Sequence, residues 1–272
     1  MAKAGDVTAG EVDLGRIDVE QRDRLLLIAL DRPAKYNGVT PEMFDQLVDA
    51  FTRLDEDPAL WCGVVFARGP HFTAGLDLPR WTGRMGRGGN PVRSDGSRVD
   101  PLGLGRSCRK PVVCAVHGIT YTIGIELMLA CDVAIAADDC RFSQLEPRRG
   151  IHATGGATFR FVERGGWGNA MYHLLTCDEF DAEEARRIGL VQEVVPRGRE
   201  LDRALELAER ICRMAPLAIQ ATKASARRYL EEGMAACIAA LGPTQAELVR
   251  TEDAREGVAS FVERREPRFQ GC

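Results

Sequence analysis

The chain has 272 residues, 45% hydrophobic and 28% charged, which is room for one large α/β domain or a domain with a helical appendage. A net charge of −4 argues against a nucleic-acid surface, since phosphate binding needs a basic excess. No apolar run approaches the roughly 20 residues that span a bilayer, and the polar first twenty residues lack the apolar core of a signal peptide, so the expected setting is the cytoplasm, without a membrane partner.

Residues 1–20 read as a flexible N-terminal segment. RLLLIAL (24–30) reads as a buried strand and PEMFDQLVDAFTRLDED (41–57) as a helix, opened by Thr40 and Pro41. WCGVVFARG (61–69) is a second strand. From Thr82 to Arg109 the chain is loaded with Gly, Arg, Ser and Pro and reads as a mobile loop bracketing a short helix, placed to shape a pocket. PVVCAV (111–116), a helix through IGIELMLAC and DVAIAA (132–137) continue the alternation. A further strand and helix run through RFSQLE and GGATFRFVERGGWGNAMYHLLT. DAEEARRIGLVQEVVP reads as a short helix, a stop at Gly189 and a strand ending at Pro196. From about Glu200 the pattern is helical, with breaks expected at Pro216, Gly233, Gly242–Pro243 and near Thr251. Alternating strands and helices imply parallel pairing with right-handed crossovers. The expected organisation is an α/β core over 21–198 and a helical region over 199–272. Apolar positions there (Ala239, Leu241, Leu248, Val258, Phe261, Val262) suit either subunit contacts or intrachain packing.

Nine cysteines form no C-x-x-C pair, and several lie within apolar runs such as VVCAV and LACDV. Buried free thiols are the expectation. The four histidines show no metal-ligand spacing, and no metal is expected.

Three segments carry chemistry. In HFTAGLDL (71–78), Gly75 permits a positive φ or a close backbone approach, so the turn can present free N–H groups; it reads equally as an ordinary strand-to-loop turn. His71 reads as a turn histidine or a pocket residue. In VHGITYTIGIELMLACD a helix starts near Ile123. Its first N–H groups lack internal partners and point outward with the positive end of the dipole. Glu126, three residues on, is either a ligand-facing carboxylate or a favourable acid at a helix N-terminus. Glu146, in RFSQLEPRRG, is either a site carboxylate or a surface acid paired with Arg148 or Arg149. Two carboxylates can take a proton from water and give one to carbon if another group stabilises the intervening charge.

Together these segments resemble the crotonase, or enoyl-CoA hydratase/isomerase, superfamily. DRPAKYN (31–37) is similar to its N-R-P-x-x-x-N segment and GPHFTAGLDL to its F-x-A-G-x-D-[LI] motif. KPVVCAVHG followed by the glycine turn and E-L-M-L-A-C-D is similar to its second motif. FSQLE, EARRIGLVQEVVP and EGVASFVERREPRFQG resemble three later signatures, all in family order. The resemblance implies a spiral of ββα units with a helical C-terminal region, assembled as a homotrimer or as a homohexamer of paired trimers. It implies an acyl-CoA substrate, with coenzyme A entering as part of that substrate and no separate cofactor. It implies that the Leu76 and Ile123 amides form an oxyanion hole, with Glu126 and Glu146 as catalytic acid and base. Ala74, Asp77, Leu78 and Gly124 would contact the substrate, Ala34 and Lys35 would meet the CoA from the first loop, and Phe261 and Arg264 would reach CoA on a neighbouring subunit, the helical region acting as a lid. The chain departs from the pattern at Thr122–Ile123–Gly124, where three glycines are usual, and at Leu145, where proline is common. Thr154 stands where dienoyl-CoA isomerases carry a further acid. The implied activity is reversible syn hydration of a trans-2-enoyl-CoA. Enoyl-CoA isomerisation, a specialised acyl-CoA reaction and non-catalytic acyl-CoA binding are the alternatives.

Overall fold

A computed structural model describes residues 13–85 and 96–272. Strands β1 (Arg16–Arg22) and β2 (Leu25–Asp31) form an antiparallel hairpin with Arg16 opposite Asp31. Helix α1 (Pro41–Glu56) begins at Thr40, whose Oγ accepts the Met43 amide at 3.1 Å. Then follow β3 (Cys62–Ala67), α2 (Leu78–Met85), β4 (Val112–Val116), β5 (Ile119–Tyr121) and α3 (Ile123–Ala130). Next come β6 (Val133–Ala137), β7 (Arg141–Ser143), α4 (Ala157–Thr176), β8 (Phe180–Asp181), α5 (Ala182–Arg187) and β9 (Glu193–Val195). Helices α6 (Glu200–Ile211), α7 (Pro216–Glu232), α8 (Met234–Leu248) and α9 (Glu252–Glu263) close the chain.

The larger sheet has the order β1-β2-β3-β4-β6-β9, parallel throughout beyond its first hairpin. Its central strands are unbroken apolar runs because both faces are covered. On β2, alternate residues Leu26, Ile28 and Leu30 join the core shared with α1 and α3, while Leu25, Leu27 and Ala29 face Ala204 and Ala208 of α6. A smaller sheet, β5-β7-β8, lies beside it. The repeating unit is therefore a strand of each sheet followed by a helix, as in β4-β5-α3. The turn after β3 has the same outline, for Thr73 bridges Thr120 on β5. This is the ββα spiral expected from the resemblance.

Two expectations are corrected, the extent of the flexible N-terminus and the break at Gly242–Pro243. Strand β1 begins inside the 1–20 segment read as flexible, drawn into the sheet by a full ladder with β2. Helix α2 supplies a short helix at the start of the 82–109 stretch, beginning earlier at Leu78 and anchored by Trp81, which is fully buried and donates Nε1–H to the Val39 carbonyl at 2.8 Å; residues 86–95 of that stretch lie outside the described residues. The short strands β5 and β8 carry too few residues for a period to be read. Helix α8 continues through Gly242–Pro243. A mid-helix proline removes one rung of the ladder, but the Val249 amide bonds the Gln245 carbonyl beyond it and the helix resumes. All nine cysteines are free thiols, and six of them are buried.

Candidate active site

Two backbone segments meet where β3 and β4 leave the larger sheet. Buried Asn37 pins the first, donating Nδ2–H to the Arg68 and His71 carbonyls at 2.8 Å each. Thr73 then runs beside β5, its amide donating to Ile119 and its carbonyl accepting from Tyr121. The Val39 amide donates to Gly75, and the Asp77 amide donates to Val39. These bonds flank Leu76 and leave its N–H without a partner among the described residues. Ile123 opens α3, so its N–H likewise has no internal acceptor.

Gly75 and Thr122 make the approach possible. Gly75 has φ +117°, and a Cβ there would lie 2.4 Å from Thr122 Oγ. Any side chain would push the two segments apart. Thr122 itself adopts φ 50°, ψ −115°, and its backbone is tied at both ends, its amide to the Ser143 carbonyl at 3.0 Å and its carbonyl to the Glu126 amide at 3.1 Å.

A cavity of about 550 Å³ opens on this seam, lined by Ala74, Leu76, Leu78, Thr122, Ile123, Glu126 and Glu146 among others. Helix α3 is apolar on every face and buried through Leu129, which carries Glu126 to 2% exposure. Its Oε1 accepts the Gly155 amide at 2.7 Å and the Ala157 amide at 3.2 Å. A Cβ at Gly155 would stand 2.4 Å from Glu126 Oε2, so this cradle requires glycine. Arg160 braces it from behind, with Nη1 on the Gly155 carbonyl at 2.9 Å and Nη2 on the Leu102 carbonyl at 2.5 Å. Burial raises the Glu126 pKa, opposed by the Ala157 and Gly155 amides and the Arg160 charge. Glu146 opens a 3-10 helix, Glu146–Arg149, that ends at Gly150 in the left-handed region. Pro147 follows it where the resemblance expects a preceding proline, and the turn still carries Glu146 into the cavity. Its Oε2 is buried with no hydrogen-bond partner within the protein. Burial first, and then the negative charge of Glu126, push its pKa up to about 7.

The structure brings Ala74, Leu76, Leu78, Ile123, Glu126 and Glu146 to one cavity and leaves the other expected residues off its lining. Asp77 is held in an ion pair by the buried Arg32 guanidinium at 2.8 Å, which sets the first loop against the 71–78 segment. Gly124 packs inward, where a Cβ would lie 2.5 Å from Thr73 Cγ2. Ala34 and Lys35 sit exposed on the 3-10 helix Pro33–Lys35, one hydrogen bond away from the site: the Ala74 amide donates to Tyr36. Phe261, 84% exposed, and Arg264 at the end of α9 lie on the surface. His71 is a turn residue. Its ring stacks on Tyr36, and Nδ1 accepts the Ile119 amide at 3.2 Å. The sequence reading missed Arg149, Ile151 and His152, which also line the cavity. The glycines at 150 and 155, bracketing a short run after Glu146, were the available signal. No grouping of three or more metal-ligating side chains occurs among the described residues, and no helix there is long and apolar enough to cross a membrane.

A family model described as enoyl-CoA hydratase/isomerase matches residues 20–272. The chain is 35% identical over 255 residues to "Enoyl-CoA hydratase EchA19" of Mycobacterium tuberculosis, covering 93% of this chain and 95% of that protein. It is 31% identical to "2,3-dehydroadipyl-CoA hydratase" of Escherichia coli, covering 95% and 100%. A crystal structure of a probable enoyl-CoA hydratase/isomerase from Mycobacterium abscessus matches with a TM-score of 0.91 and 43% identity, over 94% of this chain and 98% of that one.

Proposed function

The chain belongs to the enoyl-CoA hydratase/isomerase family, and from that premise we propose that it hydrates a trans-2-enoyl-CoA reversibly, with Glu126 as base and Glu146 as acid. One observation carries this reading: two carboxylates in unlike environments line the same cavity as two unpartnered backbone amides. The thioester oxygen accepts from the Leu76 and Ile123 N–H groups. Glu126, ionised and steadied by two amides, takes a proton from water as the water oxygen bonds C3. The C2–C3 π electrons move toward the thioester, and charge collects on the oxygen held by the amides. One such donor is worth about 100- to 1000-fold in rate. Glu146, with its pKa near 7, then gives its proton to C2, and proton exchange with solvent restores the pair. An isomerase needs one carboxylate to shuttle the proton. Two acids in the cavity favour hydration.

The pantetheine would pass Ala74 and Leu78 toward the exposed loop at Ala34 and Lys35. We also read the protein as a cytoplasmic homotrimer or homohexamer in which Phe261 and Arg264 reach a neighbour's CoA. The exposed apolar residues Val258, Phe261 and Val262 support that reading, and light scattering on the eluted protein tests it. The reaction is tested by loss of enoyl-thioester absorbance with crotonyl-CoA and longer, branched or carboxylated homologues. Turnover that survives both Glu126→Gln and Glu146→Gln would sink the two-carboxylate mechanism.

A further inference from the structure

We infer that the Thr122 hydroxyl is a third donor to the thioester oxygen, beside the Leu76 and Ile123 amides; this rests on the enoyl-CoA reading above. The Thr122 hydroxyl stands 2.4 Å from where a Gly75 Cβ would be. The Gly75 carbonyl carbon bears the Leu76 amide, and the Thr122 carbonyl carbon bears the Ile123 amide. The hydroxyl therefore sits on the seam between the two amides, on a residue that lines the cavity.

The nearby Thr73 hydroxyl is committed, donating to the Asn37 carbonyl at 2.7 Å. Thr122 Oγ makes no hydrogen bond among the described residues, and the residue is only partly buried.

The backbone of Thr122 is strained as well. At φ 50°, ψ −115° Thr122 occupies a region that glycine takes freely and a β-branched residue takes at a cost. Such strain persists where surrounding structure enforces it, and it gathers at functional sites. Glycine would make the same turn without strain and without a hydroxyl. An enolate oxygen has lone pairs enough for three donors, and the Thr122 proton stays on threonine throughout.

The test compares wild type with Thr122→Ser, Thr122→Val and Thr122→Gly on crotonyl-CoA, with melting temperatures alongside. Serine keeps activity to within about threefold. Valine and glycine lose about 10- to 100-fold in kcat/KM, carried by kcat, as expected for losing a bond to a charged acceptor. Thr122→Gly melts no lower than wild type, so its loss is chemical; if Thr122→Val does not fold, the glycine variant decides. Wild-type kcat in Thr122→Gly, or a loss confined to KM, overturns the assignment while the hydratase reading stands. A wild type inactive on every enoyl-CoA removes both.

Discussion

Glu126 and Glu146 are the same residue in one cavity, yet their surroundings differ in kind. Glu126 sits on a buried α-helix and rests on two backbone amides, with an arginine bracing the turn that supplies them. Glu146 sits on a single 3-10 turn, with one oxygen buried and unbonded and a negative neighbour. Hydrogen bonds to the charged form favour ionisation, whereas desolvation and a like charge oppose it. One carboxylate is thus built to be a base and the other to hold a proton. Identical chemistry acquires direction from packing alone.

That contrast can be broken outright by Glu126→Gln or Glu146→Gln. Each lowers kcat on crotonyl-CoA by about 100- to 10,000-fold, and loss of the Glu126 charge also lowers the pH at which Glu146 titrates, read by NMR titration. Gly155→Ala attacks the cradle alone. Its methyl group would need the space 2.4 Å from Glu126 Oε2, and the displaced carboxylate costs about 100-fold in kcat with Glu126 still present.

The proton on Glu146 is visible without catalysis. Its folded pKa of about 7 lies above the 4.5 of an ordinary glutamate. Between those values the native protein holds a proton that the unfolded chain has released, so stability falls as pH rises through that window. Glu146→Gln removes this slope, raising stability at pH 8 relative to pH 5 by about 1 to 3 kcal/mol in denaturant titrations. In the wild type, kcat/KM declines above about pH 7 as the same proton leaves, and its acid limb reports the Glu126 base, whose pKa burial holds above the ordinary carboxylate value.

The mildest change is at Arg160, which touches no substrate. Arg160→Met takes a positive charge from behind Glu126 and moves the acid limb of kcat/KM upward by less than about one pH unit. It also orphans the Gly155 and Leu102 carbonyls, at about 1 to 3 kcal/mol of stability. Arg160→Lys keeps the charge and restores most of the limb.

What was legible in the sequence was what depends on neighbours along the chain. The central strands and α1 follow from apolar runs and a Thr-Pro start; position alone left Glu126 either a ligand-facing carboxylate or a helix N-terminal acid, and the family resemblance singled it out. What was not legible depends on distant partners. Asp77 was expected at the substrate from the resemblance, and nothing near it in sequence reveals that Arg32 takes its carboxylate. Gly124 looked like a site glycine, yet the space it leaves is filled by Thr73. The amides that steady Glu126 lie 29 and 31 residues downstream, a distance over which no periodicity speaks. Arg149 lines the cavity from the same 3-10 helix as Glu146, and Ile151 and His152 line it just past the left-handed Gly150.

The cradle under Glu126 is made of main-chain N–H groups, and every residue but proline carries one. The residues around those donors are nonetheless held small: a Cβ at Gly155 would meet Glu126 Oε2 at 2.4 Å, one at Gly156 would meet Arg160 Nη1 at 2.5 Å, and Ala157 is fully buried. Glu146 has no such cradle, since its Oε2 is buried with no hydrogen-bond partner among the described residues. A substitution at any of these three positions therefore reaches the base, whereas the acid is tuned by burial and by the charge of Glu126.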